Sequence, residues 1–317
     1  MENIGRVKPA QACVDDCMHP EGCFFTTHDG LKIRYGIWRP ESALPRASVV
    51  YLSGRAEFLE KNRETITGLQ KRGFAVYSFD WRGQGLSSRM LDNPHKGFVR
   101  SFADYVNDLN AFVTRIAKPE PALPKILLAH SMGGNIGMQY LRENPGFFDR
   151  AVLVSPMFDI HTFPFPRGLT RKLVQRAVRA GRAEQYIPGA GDYSFKPGRF
   201  RGNDLTGDPE RFLDENREVR KNPDLALGGV TYGWAAAAFD AIDCLAAPGY
   251  VEAVKTPVLL ASGTRDRVVD TRSHQRICSR LPCCRVVKIQ GARHEILKET
   301  DACQKVFWQA FEQFTGC

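Results

Sequence analysis

KILLAHSMGGNIGMQYLREN, residues 125–144, changes its periodicity in the middle. KILLAH is an apolar run of strand length, whereas NIGMQYLREN carries its apolar residues at helical spacing, so Ser131 falls on a turn from a buried strand into a helix. Such a turn holds a side chain on a sharp bend above a sheet, with the amino terminus of the following helix aimed at it. Small neighbours let the turn close. Ala129 and Gly133 in AHSMG occupy the two positions where glycine is usual, and alanine is the mildest departure from it. A serine in this place also suits a helix N-cap. The two readings separate on whether a base and an acid accompany it.

The same pattern recurs along the chain. SVVYLSG (48–54), FAVYSF (74–79), AVLVSP (151–156), PVLLASG (257–263) and RVVKI (285–289) are short apolar runs bounded by turn residues and alternating with helical patterns. This predicts a mostly parallel central sheet flanked by helices. GCFFTT and LKIRYGIW, on either side of HDG, predict an antiparallel hairpin at its edge. Most intervals fit one helix, but residues 157–256 leave about 100 residues between two central strands. The expectation is an inserted helical cap, residues 158–250, over a core made of 1–157 and 251–317, with the proline-rich HTFPFPRG as its hinge. Ligands of open α/β sheets bind at the carboxyl edge that such a cap would cover.

A serine nucleophile needs a base, and the base needs an orienting acid. His294, in GARHE, follows the strand RVVKI, and Asp266, in ASGTRDRVV, follows PVLLASG, so both belong to loops above the same edge as Ser131. The order Ser, Asp, His is that of α/β-hydrolases. Asp270 is the fallback acid, although its place before TRSHQRICSR suits a helix cap. His130 points to the opposite side of its strand, for packing or hydrogen bonding. Two backbone N–H groups should hold the oxyanion, from Met132 after the serine and from Arg55 in the loop after SVVYLSG. DWRGQGLS (80–87) reads as scaffolding. The Arg55 side chain leaves the same loop and could grip a substrate phosphate. An ion pair with Glu57 or another carboxylate is the other use for it.

Length and composition agree with an ordinary soluble protein: 317 residues, 43% hydrophobic and 25% charged, enough for one elaborated domain. The amino terminus lacks the apolar run of a signal peptide and no segment is long enough to span a bilayer, which predicts a cytoplasmic protein. Cys13, Cys17 and Cys23 lie near His19, but their spacing matches no standard zinc pattern, so no metal is expected and the cysteines are read as free. Cys283 and Cys284 are likewise read as reduced, an odd count of nine arguing against a disulfide framework.

The net charge of +9 comes with no helix-turn-helix, zinc-finger or aromatic ribonucleoprotein pattern, so no nucleic-acid partner is expected. Nine Arg or Lys residues stand against Glu184 and Asp192 between 167 and 201. On a helical wheel Leu169, Leu173, Val174, Ala177, Val178 and Ala180 fill one half, and Arg171, Lys172, Arg176, Arg179 and Arg182 the other. A basic amphipathic helix of this kind predicts peripheral docking on an anionic membrane, here its inner face. An ordinary helix with solvated charges is the plain alternative.

SGRAEF, DWRGQGLSSR, NPHKGFVRSFADYVNDLNAF and LAHSMGGN together resemble the α/β-hydrolases of the monoacylglycerol lipase and lysophospholipase group, over roughly residues 45–315. Monoacylglycerol lipases of that group carry a His-Gly pair at the oxyanion loop. Here Ser53-Gly54-Arg55 stands instead, which resembles the Gly-Arg-x-Glu form of the lysophospholipase branch. LTGDPERF and LGGVTYGW in the insertion also resemble that group. The resemblance implies an α/β-hydrolase fold and cofactor-free hydrolysis of a lipid ester through an acyl-enzyme, a lysophospholipid ranking above a monoacylglycerol or a general ester, and above a non-catalytic binder. The oligomeric state is open.

Overall fold

The computed structural model describes residues 23–40, 44–162, 164–194 and 200–316. Eight strands form one sheet: β1 (Cys23–Thr26), β2 (Lys32–Trp38), β3 (Ala47–Leu52), β4 (Phe74–Phe79), β5 (Lys125–His130), β6 (Arg150–Val154), β7 (Val258–Gly263) and β8 (Cys284–Ile289). Their order is β1-β2-β4-β3-β5-β6-β7-β8. β1 and β2 pair antiparallel across the HDG turn, and β2 lies antiparallel on β4. From β4 to β8 every pairing is parallel. The apolar runs are therefore strands because both faces are covered, which removes any need for polar alternation.

One face carries α1 (Arg63–Lys71) and, at the far end of the chain, α9 (Asp301–Thr315). Ile66, Leu69, Phe307 and Phe311 pack there on Val49, Tyr51, Ile126 and Leu128. The other face carries α2 (Phe102–Ala111) and α3 (Met132–Glu143), whose Tyr105, Leu109 and Ile136 pack on Val50, Leu52, Leu127 and Ala129. α3 crosses the sheet closely because its first turns carry glycine: a Cβ on Gly133 would lie 2.6 Å from the carbonyl oxygens of both Leu52 and Ser53. A Cβ on Gly137 would lie 3.7 Å from that of Ala129. The tighter neighbour at that position is Leu127, whose Cδ2 would lie 3.0 Å from the added Cβ.

Between β6 and β7 the chain leaves the sheet and forms α4 (Arg167–Arg179), the short α5 (Pro209–Phe212), α6 (Asp214–Lys221) and α7 (Tyr232–Ala246). α7 is apolar nearly all round and buried to match. Trp234, Ala237, Ala238, Ala241 and Leu245 join the sheet's core, while Ala235, Ala236 and Phe239 face Val174 of α4. The expected hinge HTFPFPRG leads into α4, with Phe163 outside the described residues. The insertion rests on loops at the carboxyl ends of the strands: Gly97 bridges Val230, and the N–H of Glu295 donates to Leu205 O at 2.7 Å. No helix among the described residues is long and apolar enough to cross a membrane.

α4 differs from the wheel-based expectation in how it docks. Only Val174 is fully buried, and Leu169 and Leu173 are 46% and 52% exposed. The helix meets α7 along a narrow face, so the two leucines fall on the outward stripe with Lys172, Arg176 and Arg179. Arg171 is not on that stripe, being tied to Asp240 and Asp243 of α7.

The cysteine reading is corrected at two positions. Cys284 is not reduced but joined to Cys278, at the end of α8 (Arg272–Cys278), where the Cα atoms stand 5.4 Å apart. The short return from α8 into β8 brings these positions within disulfide reach, a closeness that spacing alone does not disclose. Cys23 is also disulfide-bonded rather than free. Cys283 is a free, exposed thiol. Cys13, Cys17 and His19 lie outside the described residues.

Candidate active site

β5 ends at His130, α3 begins at Met132, and Ser131 between them takes φ 51° and ψ −115°. A non-glycine residue in that region is strained by about 1–3 kcal/mol and persists only where its surroundings enforce it. They do so from both sides. The Ser131 N–H donates to Val154 O at 3.0 Å, and the Ser131 carbonyl accepts from the N–H groups of Gly134 and Met157, each at 2.9 Å. The serine is thus a bend and not a cap, since its side chain caps no N–H of α3.

Its hydroxyl faces a histidine instead. His294 Nε2 lies 2.9 Å from Ser131 Oγ, and His294 Nδ1 lies 2.8 Å from Asp266 Oδ2. Burial opposes the charge of Asp266, but the bond to His294 and the N–H donors of Val268 and Val269 hold its carboxyl below the ordinary range. Because that carboxylate can only accept, Nδ1 carries the proton and Nε2 is left to accept from the serine. Ser131 and His294 are 8% and 4% exposed, so the dyad sits in a nearly dry setting. Asp270 is elsewhere: it accepts from the N–H of Arg272 at 3.0 Å and pairs with that guanidinium.

Met132 and Arg55 present backbone N–H groups that donate to nothing among the described residues. On either side of Arg55 the amides are occupied, Gly54 N–H by Glu57 Oε2 at 3.0 Å and Ala56 N–H by Gln84 Oε1 at 2.6 Å. Ala56 takes φ 62°, which turns the loop. DWRGQGLS braces this loop directly. Trp81 Nε1 donates to Ser53 O at 2.9 Å, and Asp80 Oδ1 accepts from the N–H of Leu59 at 3.0 Å.

The Arg55 side chain makes no ion pair with Glu57 or any other carboxylate among the described residues. It donates to Gly228 O, lies over the Trp234 ring at 5.5 Å, and leaves a buried Nε without a partner. Burial pulls its pKa down to about 10. Glu57 turns to His130, with Oε1 2.7 Å from Nδ1. That pairing spans 73 positions, and no local pattern announces it. A second buried histidine, His274, was not singled out by the sequence. It bonds Ser262 Oγ at 2.8 Å and Pro156 O at 2.9 Å, fixing the loop beside Ser131.

An apolar cavity of about 810 Å³ opens between α4 and α7, lined by Ile160, Leu173, Val174, Ile187, Trp234 and Phe239 among others. Its volume suits a single hydrocarbon chain. Ser131 is not part of its lining.

A parallel sheet with a strained serine turn after its central strand, and a histidine and an aspartate on later loops, is the α/β-hydrolase fold. The chain belongs to the family described as serine aminopeptidase S33, which matches residues 43–301. It is 35% identical to lysophospholipase L2 of Escherichia coli, over 92% of this chain and 86% of that one. It is 26% identical to the monoacylglycerol lipase of Mycolicibacterium smegmatis, over 86% and 89%. Among solved structures, a soluble variant of monoglyceride lipase from Saccharomyces cerevisiae, in complex with a substrate analog, superposes with a TM-score of 0.72 at 18% identity, covering 92% of this chain and 93% of that one.

Proposed function

We propose that this chain is a serine hydrolase that cleaves the acyl ester of lysophospholipids. The observation that carries the reading is the unbroken line from Asp266 through His294 to Ser131. As Ser131 Oγ attacks the ester carbonyl, His294 Nε2 takes its proton, and the oxyanion is held by the N–H groups of Arg55 and Met132. His294 returns the proton to the departing glycerophospho alcohol. Water, deprotonated by His294, then releases the fatty acid and restores the serine. Every step uses groups of the chain itself, so no metal or organic cofactor is called for. The intact hydrogen-bonded set speaks against a non-catalytic binder.

The lysophospholipid preference rests on Arg55. A buried guanidinium without a carboxylate is costly, and a substrate phosphodiester would supply the missing charge through bidentate hydrogen bonds. The relation to the Escherichia coli enzyme supports the same substrate. A monoacylglycerol lipase is the second reading, favoured by the Mycolicibacterium relative.

Residues 158–250 serve as a cap in this reading, and its outward stripe as the contact with lipid. Leu169 and Leu173 would enter the headgroup region while Lys172, Arg176 and Arg179 meet anionic phosphates. The association is peripheral, on the membrane's inner face.

Mass-spectrometric product analysis tests the substrate. Lysophospholipids, monoacylglycerols and short-chain esters are offered in parallel, with Ser131→Ala as control. Free fatty acid should form fastest from lysophospholipid. A clear preference for monoacylglycerol would install the second reading, and no ester turnover at all would end both.

A further inference from the structure

Behind the serine, on the other face of β5, lies a group that the hydrolytic steps do not use. His130 is 3% exposed and Glu57 is 4% exposed. His130 Nδ1 is 2.7 Å from Glu57 Oε1, and Nε2 is 3.3 Å from the carbonyl oxygen of His294. The other oxygen of Glu57 accepts from the Gly54 N–H at 3.0 Å, one residue before the free amide of Arg55. The arrangement is crowded enough to exclude a side chain at position 54, where a Cβ would lie 2.9 Å from His130 Nδ1 and 3.0 Å from Glu57 Oε1.

The partners decide the protonation of the ring. A carbonyl oxygen only accepts, and so does a carboxylate. Both nitrogens of His130 must therefore donate for both contacts to be bonds, which makes the ring an imidazolium. We propose that Glu57 and a doubly protonated His130 form a positioning clamp that fixes the oxyanion loop relative to the backbone of His294. This rests on the hydrolase reading above for its effect on rate, but not for its geometry.

The charges around the ring agree. From the loop after β3 come Glu57 and Lys61, and from the loop after β8 come His294 and Glu295. Lys61 is held by Glu295 at 2.7 Å and by Glu215 of α6 at 3.0 Å. Burial pulls the His130 pKa down, but the charge and hydrogen bond of Glu57 more than offset it and leave the ring above the ordinary histidine range. Burial likewise opposes the Glu57 charge, and His130 reverses that. Neither residue touches the reacting atoms. They act on where the oxyanion donors and the His294 ring are held.

The test pairs a spectroscopic readout with a kinetic one on the full chain. In ¹⁵N-histidine-labelled protein, assigned by difference with His130→Gln, the His130 ring should carry both protons at pH 7, and lose one at that pH in Glu57→Gln. A neutral His130 at pH 7 overturns the clamp whether or not the protein hydrolyses esters. With p-nitrophenyl butyrate, wild-type kcat should fall on the alkaline side as His130 deprotonates. Folded His130→Gln should lose that fall and lower kcat roughly 10- to 100-fold with little change in KM, as misplacement of catalytic groups does. Wild-type kcat in that variant, or an alkaline fall that survives it, overturns the proposal. Should His130→Gln fail to fold, Glu57→Gln decides alone: its alkaline fall must move to lower pH, and an unmoved profile sinks the clamp. Absence of ester turnover in the wild type would instead refute the hydrolase reading, while the nitrogen spectrum still decides the clamp.

Discussion

Asp266 meets His294 with one carboxylate oxygen only: Oδ2 lies 2.8 Å from Nδ1, while Oδ1 accepts from the N–H groups of Val268 and Val269 at 2.9 and 3.2 Å. An asparagine here would keep its oxygen on the two backbone donors and turn its NH₂ toward the ring. The ring would then adopt the other tautomer, with Nε2 protonated and unable to accept from Ser131. Asp266→Asn should therefore lower kcat by roughly 10⁴-fold. Ser131→Ala and His294→Ala should each approach a 10⁶-fold loss, roughly, with the unfolding midpoint of Ser131→Ala unchanged. Asp270→Asn should leave the rate nearly untouched. Initial rates on one short-chain ester check all four, and a large loss in Asp270→Asn would refute the choice of acid.

Arg55→Ala should separate substrates. Charge-assisted bonds to a phosphate are worth roughly tenfold or more in kcat/KM. The loss should thus be at least that much greater for a lysophospholipid than for a monoacylglycerol of the same chain. Arg55→Lys should recover only part, because an ammonium cannot bond phosphate in the bidentate way. Equal losses on both substrates would remove the phosphate from the account.

Binding to vesicles should depend on the outward stripe of α4. The triple change Lys172→Gln, Arg176→Gln and Arg179→Gln should weaken sedimentation with anionic vesicles by on the order of 100-fold. Binding should also fall between low and physiological salt. Arg171→Gln should matter less, since Asp240 and Asp243 already neutralise it. Association indifferent to salt and to anionic lipid would contradict the docking proposal.

Stability should fall with acid because of His274. Burial lowers its pKa from 6.5 to about 4, so between those values the unfolded chain binds a proton that the folded chain refuses. Its contribution is present above about pH 6.5 and lost as the pH drops to about 4, in total about 3 kcal/mol. Denaturant titrations at a series of pH values should show that slope, and His274→Gln should flatten it.

What could be read from the sequence is what the loops of a parallel sheet impose. Ser131, Asp266 and His294 each follow an apolar run, so their place at the carboxyl edge needs only strand direction, and the structure brings them into one chain of hydrogen bonds. Contacts made across the sheet are a different matter. Glu57 and His130, 73 positions apart, meet because of register and packing that no local spacing encodes, and even Cys278 and Cys284, only six apart, meet because of the conformation of the turn between α8 and β8. The wheel of α4 shows which residues share a side, but not how wide a strip the neighbouring helix covers. That width put Leu169 and Leu173 in solvent.

β6 and β7 are neighbours in the sheet although the insertion separates them by about 100 residues. Each doubling of a closed loop costs only about 0.6 kcal/mol at equilibrium, but pairing of distant segments slows folding far more than it weakens the product. The seam between these strands should accordingly close late. Asp266 and His294 lie beyond it and Ser131 before it, so a refolding chain becomes compact with a serine that has no base. Recovery of fluorophosphonate labelling should lag behind the return of secondary structure, and the size of the insertion sets that delay.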